Sequence, residues 1–437
     1  MKNFLFGLGM FAIVAVWLIV WTMLPWPAVL GLAALLTLWL SLTRRGRQTL
    51  SVTRVGMSTL TQRLGSSAVI VIGIAGVVGV LVALLAMAQG FQATLQQTGS
   101  DDTAIVLRGG SQAELNSVLS RANVNTITLA PGIAKGPDGH PIASAELVVV
   151  ANLPKKSDPS VDANVPIRGV GEEAWKLRSK VKIIAGRRFR PGLRELDVGQ
   201  GAQRQFAGLE LGRKLRLAGQ EWTVVGVFAS GDSHDSELWG DASSVASAYR
   251  RGSSVQSVTV RLTSPSAFHT FKAALMRDPT LKVDVSTTRE YFNKQSERLT
   301  KIIRVVGITV SIIMAIGAVF GALNTMFAAI AARSREIATL RAIGFRGVPV
   351  VVSVLLETML LALLGGALGG LITWLIFNGY TASTLGSNFS QVVFQFKVSP
   401  LLLWTGLKWA MAIGFIGGLF PAVRAARLQV SAALREL

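Results

Sequence analysis

The 437-residue sequence contains no cysteine. That excludes disulfides, thiol catalysis and cysteine-based zinc sites. It also suits a domain on the oxidising side of a membrane. Histidine is nearly absent: His140, His234 and His269 fall at no metal-ligand spacing and read as surface or turn residues. The dipeptide His234-Asp235 has no nucleophile motif beside it, and Gly-x-Ser-x-Gly does not occur. No catalytic residue and no metal ligand is therefore assigned. Gly-x-x-x-x-Gly-Lys-Ser/Thr is missing too, so the sequence carries no phosphate-cradling loop. Acidic residues are few, 24 against 44 Lys and Arg, for a net charge of +20. Residues 91–300 carry only +6 of it, and the remainder, with 3 acidic and 17 basic residues, carries +14. The excess lies beside apolar runs, which is the positive-inside pattern and not a nucleic-acid footprint. No nucleic-acid partner is expected.

What the sequence has is hydrophobic length. Half of its residues are apolar, and several runs of about 20 exceed the roughly 18 residues that mark a membrane-spanning helix. Phe4–Leu24 reads as an uncleaved first span, too long for the apolar core of a signal peptide. Pro25-Trp26-Pro27 breaks it, with the Trp suited to an interface. Pro27–Leu42 is a short second span or one arm of a re-entrant hairpin. Arg44, Arg45 and Arg47 place its end in the cytoplasm. Leu50–Leu64 suggests an interfacial elbow helix, with Met57, Leu60 and Leu64 on one face and Arg54 and Arg63 near head groups. Residues 68–90 hold the third span.

From 91 to 304 the character changes. Short β-branched runs such as Thr103–Leu107, Leu147–Val150, Trp222–Phe228 and Val255–Leu262 predict strands in an α+β domain. Its position after an outward-running span puts it outside the cytoplasm, and about 210 residues can bury a core of their own. Three more spans follow in 305–437: Val305–Ala331, Val350–Phe377 and Leu401–Phe420. The cytoplasmic loop 332–349 lies between the first two, a short outer loop 378–400 between the last two, and a basic tail follows. The expected fold is thus a polytopic α-helical membrane protein of about six spans. It has a large extracytoplasmic domain and both termini inside. The segments are a hairpin at 1–43, a linker and elbow at 44–67, a span at 68–90, the outer domain with stalk-like ends, and the three-span remainder.

Several constellations carry chemistry. In the 332–349 loop, Ile337, Ala338, Leu340 and Ala342 make an apolar stripe at helical spacing, flanked by Arg335, Glu336 and Arg341. Gly344 suits the helix end. On periodicity alone this is either a docking helix or an ordinary basic loop that happens to be helical. Gly317/Gly321, Gly366/Gly370 and Gly414/Gly418 suit close helix crossings in lipid, within one chain or between two. Glu357 and Lys408 are ionisable groups inside predicted spans. Glu357 is placed to pair with a basic residue of the elbow or loop, and Lys408 reads as snorkelling to the outer face. Lys176, Arg178, Lys180 and Lys182 alternate as on one strand face, with Arg187, Arg188, Arg190 and Arg194 following. That face is either solvated or meets a partner or anionic head groups.

The run Arg335-Glu336-Ile337-x-x-Leu340-Arg341-Ala342-Ile343-Gly344 resembles the signature of MacB/FtsX-like ABC permeases. Asn324-Thr325, Glu357 and the end Pro421-Ala-Val-Arg-Ala-Ala-Arg-Leu428 with Ala433-Leu-Arg435 fit the same pattern, as do Gly186-Arg187, Leu211-Gly212 and Trp222-Thr-Val-Val-Gly-Val-Phe228 in the outer domain. The likeness covers roughly residues 50–437. Val430 stands where the family often has Pro, Arg213 where it is often acidic, and the 1–43 hairpin lies outside the usual permease. The resemblance implies a homodimer working with a separate ATPase subunit, which binds the ATP and Mg. The loop helix, through Arg335, Glu336, Ile337, Leu340, Arg341 and Gly344, docks into that ATPase. Closure of the ATPase is then carried by the fourth span and its amphipathic extension Thr288–Arg304 to the outer domain, for efflux with an adaptor and an outer-membrane channel. A lipoprotein-extracting permease, an FtsX-like regulator of a cell-wall hydrolase and a scaffold without an ATPase are the alternatives. Membrane lipids and the bacterial inner membrane are the expected surroundings.

Overall fold

The computed structural model describes residues 20–58, 64–345, 347–385 and 391–427. Two compact units share the chain. The first holds Met1–Met87, Ile303–Gly379 and Lys397–Leu437; the second holds Ala88–Ile302 and Tyr380–Phe396.

Among the described residues four helices are long and apolar enough to cross a membrane: Ser67–Thr98, Thr288–Ala332, Gly347–Phe377 and Pro400–Arg427. The first and second of these contribute residues to both units. About six spans were expected. Most of the first expected span, and Leu60 and Arg63 of the expected elbow, lie outside the described residues. The second is the 17-residue helix Trp26–Leu42, opened by a Pro at its first turn. At 1.5 Å per residue it reaches about 25 Å, short of a roughly 30 Å hydrocarbon core. It meets the helix Arg44–Ser58 at a bend of 96°, and the pair makes a fifth candidate if counted as one span. That second helix starts six residues earlier than the apolar pattern predicts. The cause is a cap: the Thr43 hydroxyl accepts from the Gly46 amide at 2.9 Å, which fixes the helix start ahead of its apolar face.

Small residues bring the helices of the first unit together. A Cβ on Gly365 would lie 2.7 Å from the Val71 carbonyl oxygen, and one on Gly406 would lie 2.8 Å from both Val78 and Val82 side chains. In lipid, where burial gives no hydrophobic drive between helices, such close approach is what holds a bundle. Thr373 adds a hydrogen bond of 3.2 Å to the Gly79 carbonyl.

The second unit is built on one mixed sheet. Its strands are β1 (Thr103–Arg108), β2 (Ala143–Pro154), β3 (Asp162–Val170), β4 (Lys182–Gly186), β5 (Glu195–Gly199), β6 (Lys214–Leu217), β7 (Gln220–Ala229), β8 (Leu238–Asp241), β9 (Ser257–Arg261) and β10 (Val283–Thr287). The order is β10-β1-β9-β2-β3-β8-β5-β7-β4, with β6 on β7. β3 with β8 and β5 with β7 are parallel. β6 and β7 close on the two-residue turn Ala218-Gly219, both at positive φ, as a twisted hairpin requires. Strand β2 is long enough to serve two lobes. Its start, Ala143–Glu146, pairs with β9, and Leu147–Pro154 pairs with β3. One core gathers Val106, Val258, Val260 and Phe271; the other gathers Ile167, Val198, Trp222 and Val224.

The expected outer loop 378–400 is a hairpin, β11 (Thr381–Leu385) with β12 (Gln391–Gln395), within the second unit. The Val393 amide donates to Ser236 at 2.8 Å. Phe394 packs edge-on against Phe91 with ring centroids 5.6 Å apart. The run Gln-Val-Val-Phe-Gln has the β-branched and aromatic content of a strand.

Candidate functional site

The long helix ending at Ala332 breaks at Arg333 (φ −106, ψ 14), and a short helix, Ser334–Ala342, begins there. Arg333 is the residue that ties the region together. Its guanidinium donates to Glu336 at 3.0 Å through Nε and to Glu357 at 3.2 Å through Nη1. Arg333 and Glu357 are both nearly buried, whereas Glu336 is half exposed. Glu357 sits on the helix Gly347–Phe377, so one cation joins the break to the next membrane helix. Gly56 of the helix Arg44–Ser58 lies over the pair: a Cβ there would meet Glu357 Oε2 at 3.1 Å and Arg333 Nη1 at 3.2 Å. The buried Arg333–Glu357 pair is held firmly, because removing one of two buried partners costs about 3–5 kcal/mol, while the half-exposed Glu336 adds little.

The other end of the short helix is closed by its backbone. Gly344, at φ +105, donates its amide to the Arg341 carbonyl at 3.1 Å, and Phe345 donates to the Leu340 carbonyl at 3.1 Å. This paired arrangement satisfies the last carbonyls and needs the left-handed conformation that Gly adopts without strain. Between the two ends, Ile337 and Ala338 are buried. Leu340 and Arg341 are half-buried, and Arg335, Glu336, Ala342 and Ile343 are exposed. The helix is therefore fixed at both ends, and its outward side carries a mixed-charge, partly apolar surface.

The remaining singled-out residues divide. Gly366, Gly414 and Gly418 touch neighbours within the chain; a Cβ on Gly366 would lie 2.7 Å from that of Ala410. A Cβ on Gly370 would meet Leu403 at 3.3 Å. A Cβ on Gly317 or Gly321 would meet nothing within 4 Å among the described residues. The snorkelling reading of Lys408 is corrected. It is 8% exposed, and its ammonium donates to the carbonyls of Thr22 at 2.6 Å and Leu24 at 3.1 Å, while Trp21 Nε1 donates to the Lys408 carbonyl at 2.8 Å. Helix-end carbonyls beside Pro25 have no intrahelical donors left, and this cation supplies them.

The basic run in the second unit does not share one strand face. Residues Glu173–Leu177 are helical and β4 starts only at Lys182. Lys176 pairs with Glu173 at 2.8 Å, Lys180 caps the Gln97 carbonyl at 2.9 Å, Arg187 forks onto Glu195 and Arg188 lies 4.5 Å over the Trp175 ring. Arg178 turns inward into a buried charge cluster that the sequence did not reveal. At its centre Arg168 reaches Glu114 at 2.9 Å, Glu146 at 2.7 Å and Glu237 at 2.8 Å. Arg178 forks onto Glu146 and donates Nε to His234 Nε2 at 3.0 Å; His234 Nδ1 lies 2.9 Å from Asp232. His234 is buried, not a surface histidine. Its Nε2 accepts from Arg178, so it has no lone pair free for base chemistry. Burial pushes the Glu146 carboxyl up, but Arg178 and Arg168 outweigh it and hold it at about 2. The cluster joins both lobes: Glu114 follows β1, while Arg168 and Glu237 belong to β3 and the segment before β8. Spaced acids and arginines far apart in sequence gave no signal of this contact.

Among the described residues no group of His, Asp and Glu could hold a metal ion.

A model of the MacB-like periplasmic core domain matches residues 67–277, and one of the FtsX-like permease C-terminal region matches residues 308–430. The macrolide export ATP-binding/permease protein MacB of Shewanella oneidensis is 23% identical over 377 residues, covering 76% of this chain and 56% of its own length. MacB of Photorhabdus laumondii is 25% identical over 370 residues, covering 76% and 56%. This chain thus spans about half the length of those relatives. The crystallised periplasmic region of MacB from Actinobacillus actinomycetemcomitans aligns over 47% of this chain and 95% of its own, at 17% identity and a TM-score of 0.33. With both halves of the family pattern matched in order, across the sheet-bearing segment and the last three membrane helices, the chain belongs to the MacB/FtsX-like ABC transporter permeases.

Proposed function

We propose that this chain is the membrane permease of an ABC machine and turns ATP hydrolysis on a separate ATPase subunit into movement of its periplasmic domain, for export of a substrate. The observation that carries this is the short helix Ser334–Ala342. It is pinned by the Arg333–Glu357 pair, closed at Gly344, and presents Arg335 and Glu336 outward. A lever needs a firm attachment and an exposed contact face, and the Arg333–Glu357 pair and the exposed Arg335 and Glu336 support that reading. ATP and Mg belong to the ATPase. Its closure pushes on Arg335, Glu336, Leu340 and Arg341, and Arg333 passes the displacement to the helices ending at Ala332 and starting at Gly347. Helices Ser67–Thr98 and Thr288–Ala332 each contribute residues to both units, so they carry the motion outward.

The machine works as a homodimer in the bacterial inner membrane, with both termini in the cytoplasm. The open surface at Gly317 and Gly321 supplies the crossing between copies. A membrane-fusion adaptor and an outer-membrane channel complete the export path. The test is co-purification of the tagged chain from native membranes in mild detergent. A stoichiometric P-loop ATPase is expected with the wild type and lost with Glu336→Lys or Leu340→Asp. If no ATPase is captured from the wild type, even with ATP and crosslinker, the reading fails.

A further inference from the structure

We propose that the periplasmic domain carries a groove for an amphiphile, a molecule with an apolar body and an anionic group. The groove encloses about 900 Å³, within the range of small-molecule sites. One wall is a single face of the helix Thr288–Ala332: Tyr291, Gln295, Leu299 and Ile302 recur at three- and four-residue spacing. Met276 of the helix Ala267–Arg277 and Val285 of β10 face into the same space. Met276 is 66% exposed and Ile302 53%. Large apolar side chains left this open around a concavity mark a surface that binds something apolar.

The polar lining sets the sign of the ligand. Three cations and two carboxylates line the groove. Lys294 and Glu290 neutralise one another at 2.7 Å. Asp284 accepts from the Gly110 amide at 2.7 Å. Arg298 and Lys272 have no ion-pair partner among the described residues; Lys272 only rests 5.6 Å from the Phe268 ring. Arg298 and Lys272, outside any ion pair, leave the lining net positive, which calls for an anion, and the apolar wall calls for a tail. A second copy of the chain fits less well, because a twofold contact here would set cations against cations. The proposal names a substrate class for the permease reading and rests on it for its biological role, but not for binding.

Absence of cysteine makes the test direct. Met276→Cys supplies a lone thiol in the full chain, held in neutral phosphatidylcholine nanodiscs without ATP. Maleimide labelling is timed with dodecyl phosphate, with dodecyltrimethylammonium and with inorganic phosphate, and Thr126→Cys serves as an exposed control. Dodecyl phosphate at about ten times its Kd is expected to slow labelling of Met276→Cys about tenfold. Inorganic phosphate leaves the rate unchanged, and the added Arg298→Glu removes the protection. Arg298 is exposed, so that variant folds. Equal protection by dodecyltrimethylammonium, or none by dodecyl phosphate, overturns the proposal. So does oxidation of the unligated thiol to a covalent dimer, which would assign the groove to a second copy. No arm involves the ATPase, so this result and ATPase capture can fail separately.

Discussion

Asp197 and Arg168 show how single residues set the pH range of the periplasmic domain. Asp197 is buried on β5, and burial pushes its carboxyl up to about 7 against one amide bond from Phe189. Its Oδ1 has no partner. Between about pH 4 and 7 the folded form keeps a proton that the unfolded chain has lost, so stability falls as pH rises through that window. Asp197→Asn should raise the thermal midpoint of the purified chain at pH 8, by an amount on the order of a few kcal/mol in stability, and leave it unchanged at pH 4. An equal gain at both values would contradict the assignment. Glu146 has the opposite sign. Its lowered carboxyl stabilises the fold above the ordinary carboxylate range, and that share is lost as pH falls toward 2. Arg168→Met removes the guanidinium from three buried carboxylates and should cost about 3–5 kcal/mol. Acid narrows its deficit against the wild type, because protonation relieves the stranded charges. Melting curves at pH 7 and pH 4 check this.

At the scale of elements, the short helix Ser334–Ala342 separates binding from transmission. Arg333→Ala should keep ATPase capture, because Arg335 and Glu336 stay exposed, yet lower transport-coupled hydrolysis, because the bond from the helix break to Glu357 is lost. Glu336→Lys should lose capture itself. If Arg333→Ala and Glu336→Lys behave alike in a pull-down, the division of roles is wrong. Gly344→Ala, at φ +105, should cost roughly 1 kcal/mol at the helix end and weaken capture less than Glu336→Lys. Much of this element was legible. The stripe Ile337, Ala338 and Leu340 marked its inward side, and Gly344 its end. That Glu357 pairs with a basic residue of the elbow or loop was legible too; that Arg333 is the residue was not, because the choice depends on a position 24 residues away, with Gly56 over both. The same limit hid the Arg168 cluster, whose members come from five places in the sequence. Lys408 read as snorkelling because the helix end it caps lies almost 400 positions earlier. Alternating charges at Lys176–Lys182 suggested a strand, but the Glu173–Leu177 turn of helix ends before that alternation can form a face.

For the whole molecule, apolar length and charge bias were enough to announce a membrane unit and a separate sheet domain. The count of spans was less secure, since Trp26–Leu42 is short and turns by 96° into its neighbour. Dimerisation has its own prediction. A Cβ at Gly317 or Gly321 meets no neighbour among the described residues, so Gly317→Leu with Gly321→Leu should leave folding unchanged while the crosslinked dimer fraction in membranes falls. An unchanged dimer would place the crossing elsewhere. The central claim is that force on the short helix reaches the periplasmic domain. The cysteine-free chain allows a spin label at Thr126→Cys in each copy of the assembled complex, and distances between labels can be read with and without ATP. ATP should shift the distance distribution in the wild type and in a Lys214→Ala control, and should not shift it in Glu336→Lys. A shift that persists in Glu336→Lys, or no shift in a wild-type complex that is hydrolysing ATP, would contradict the account.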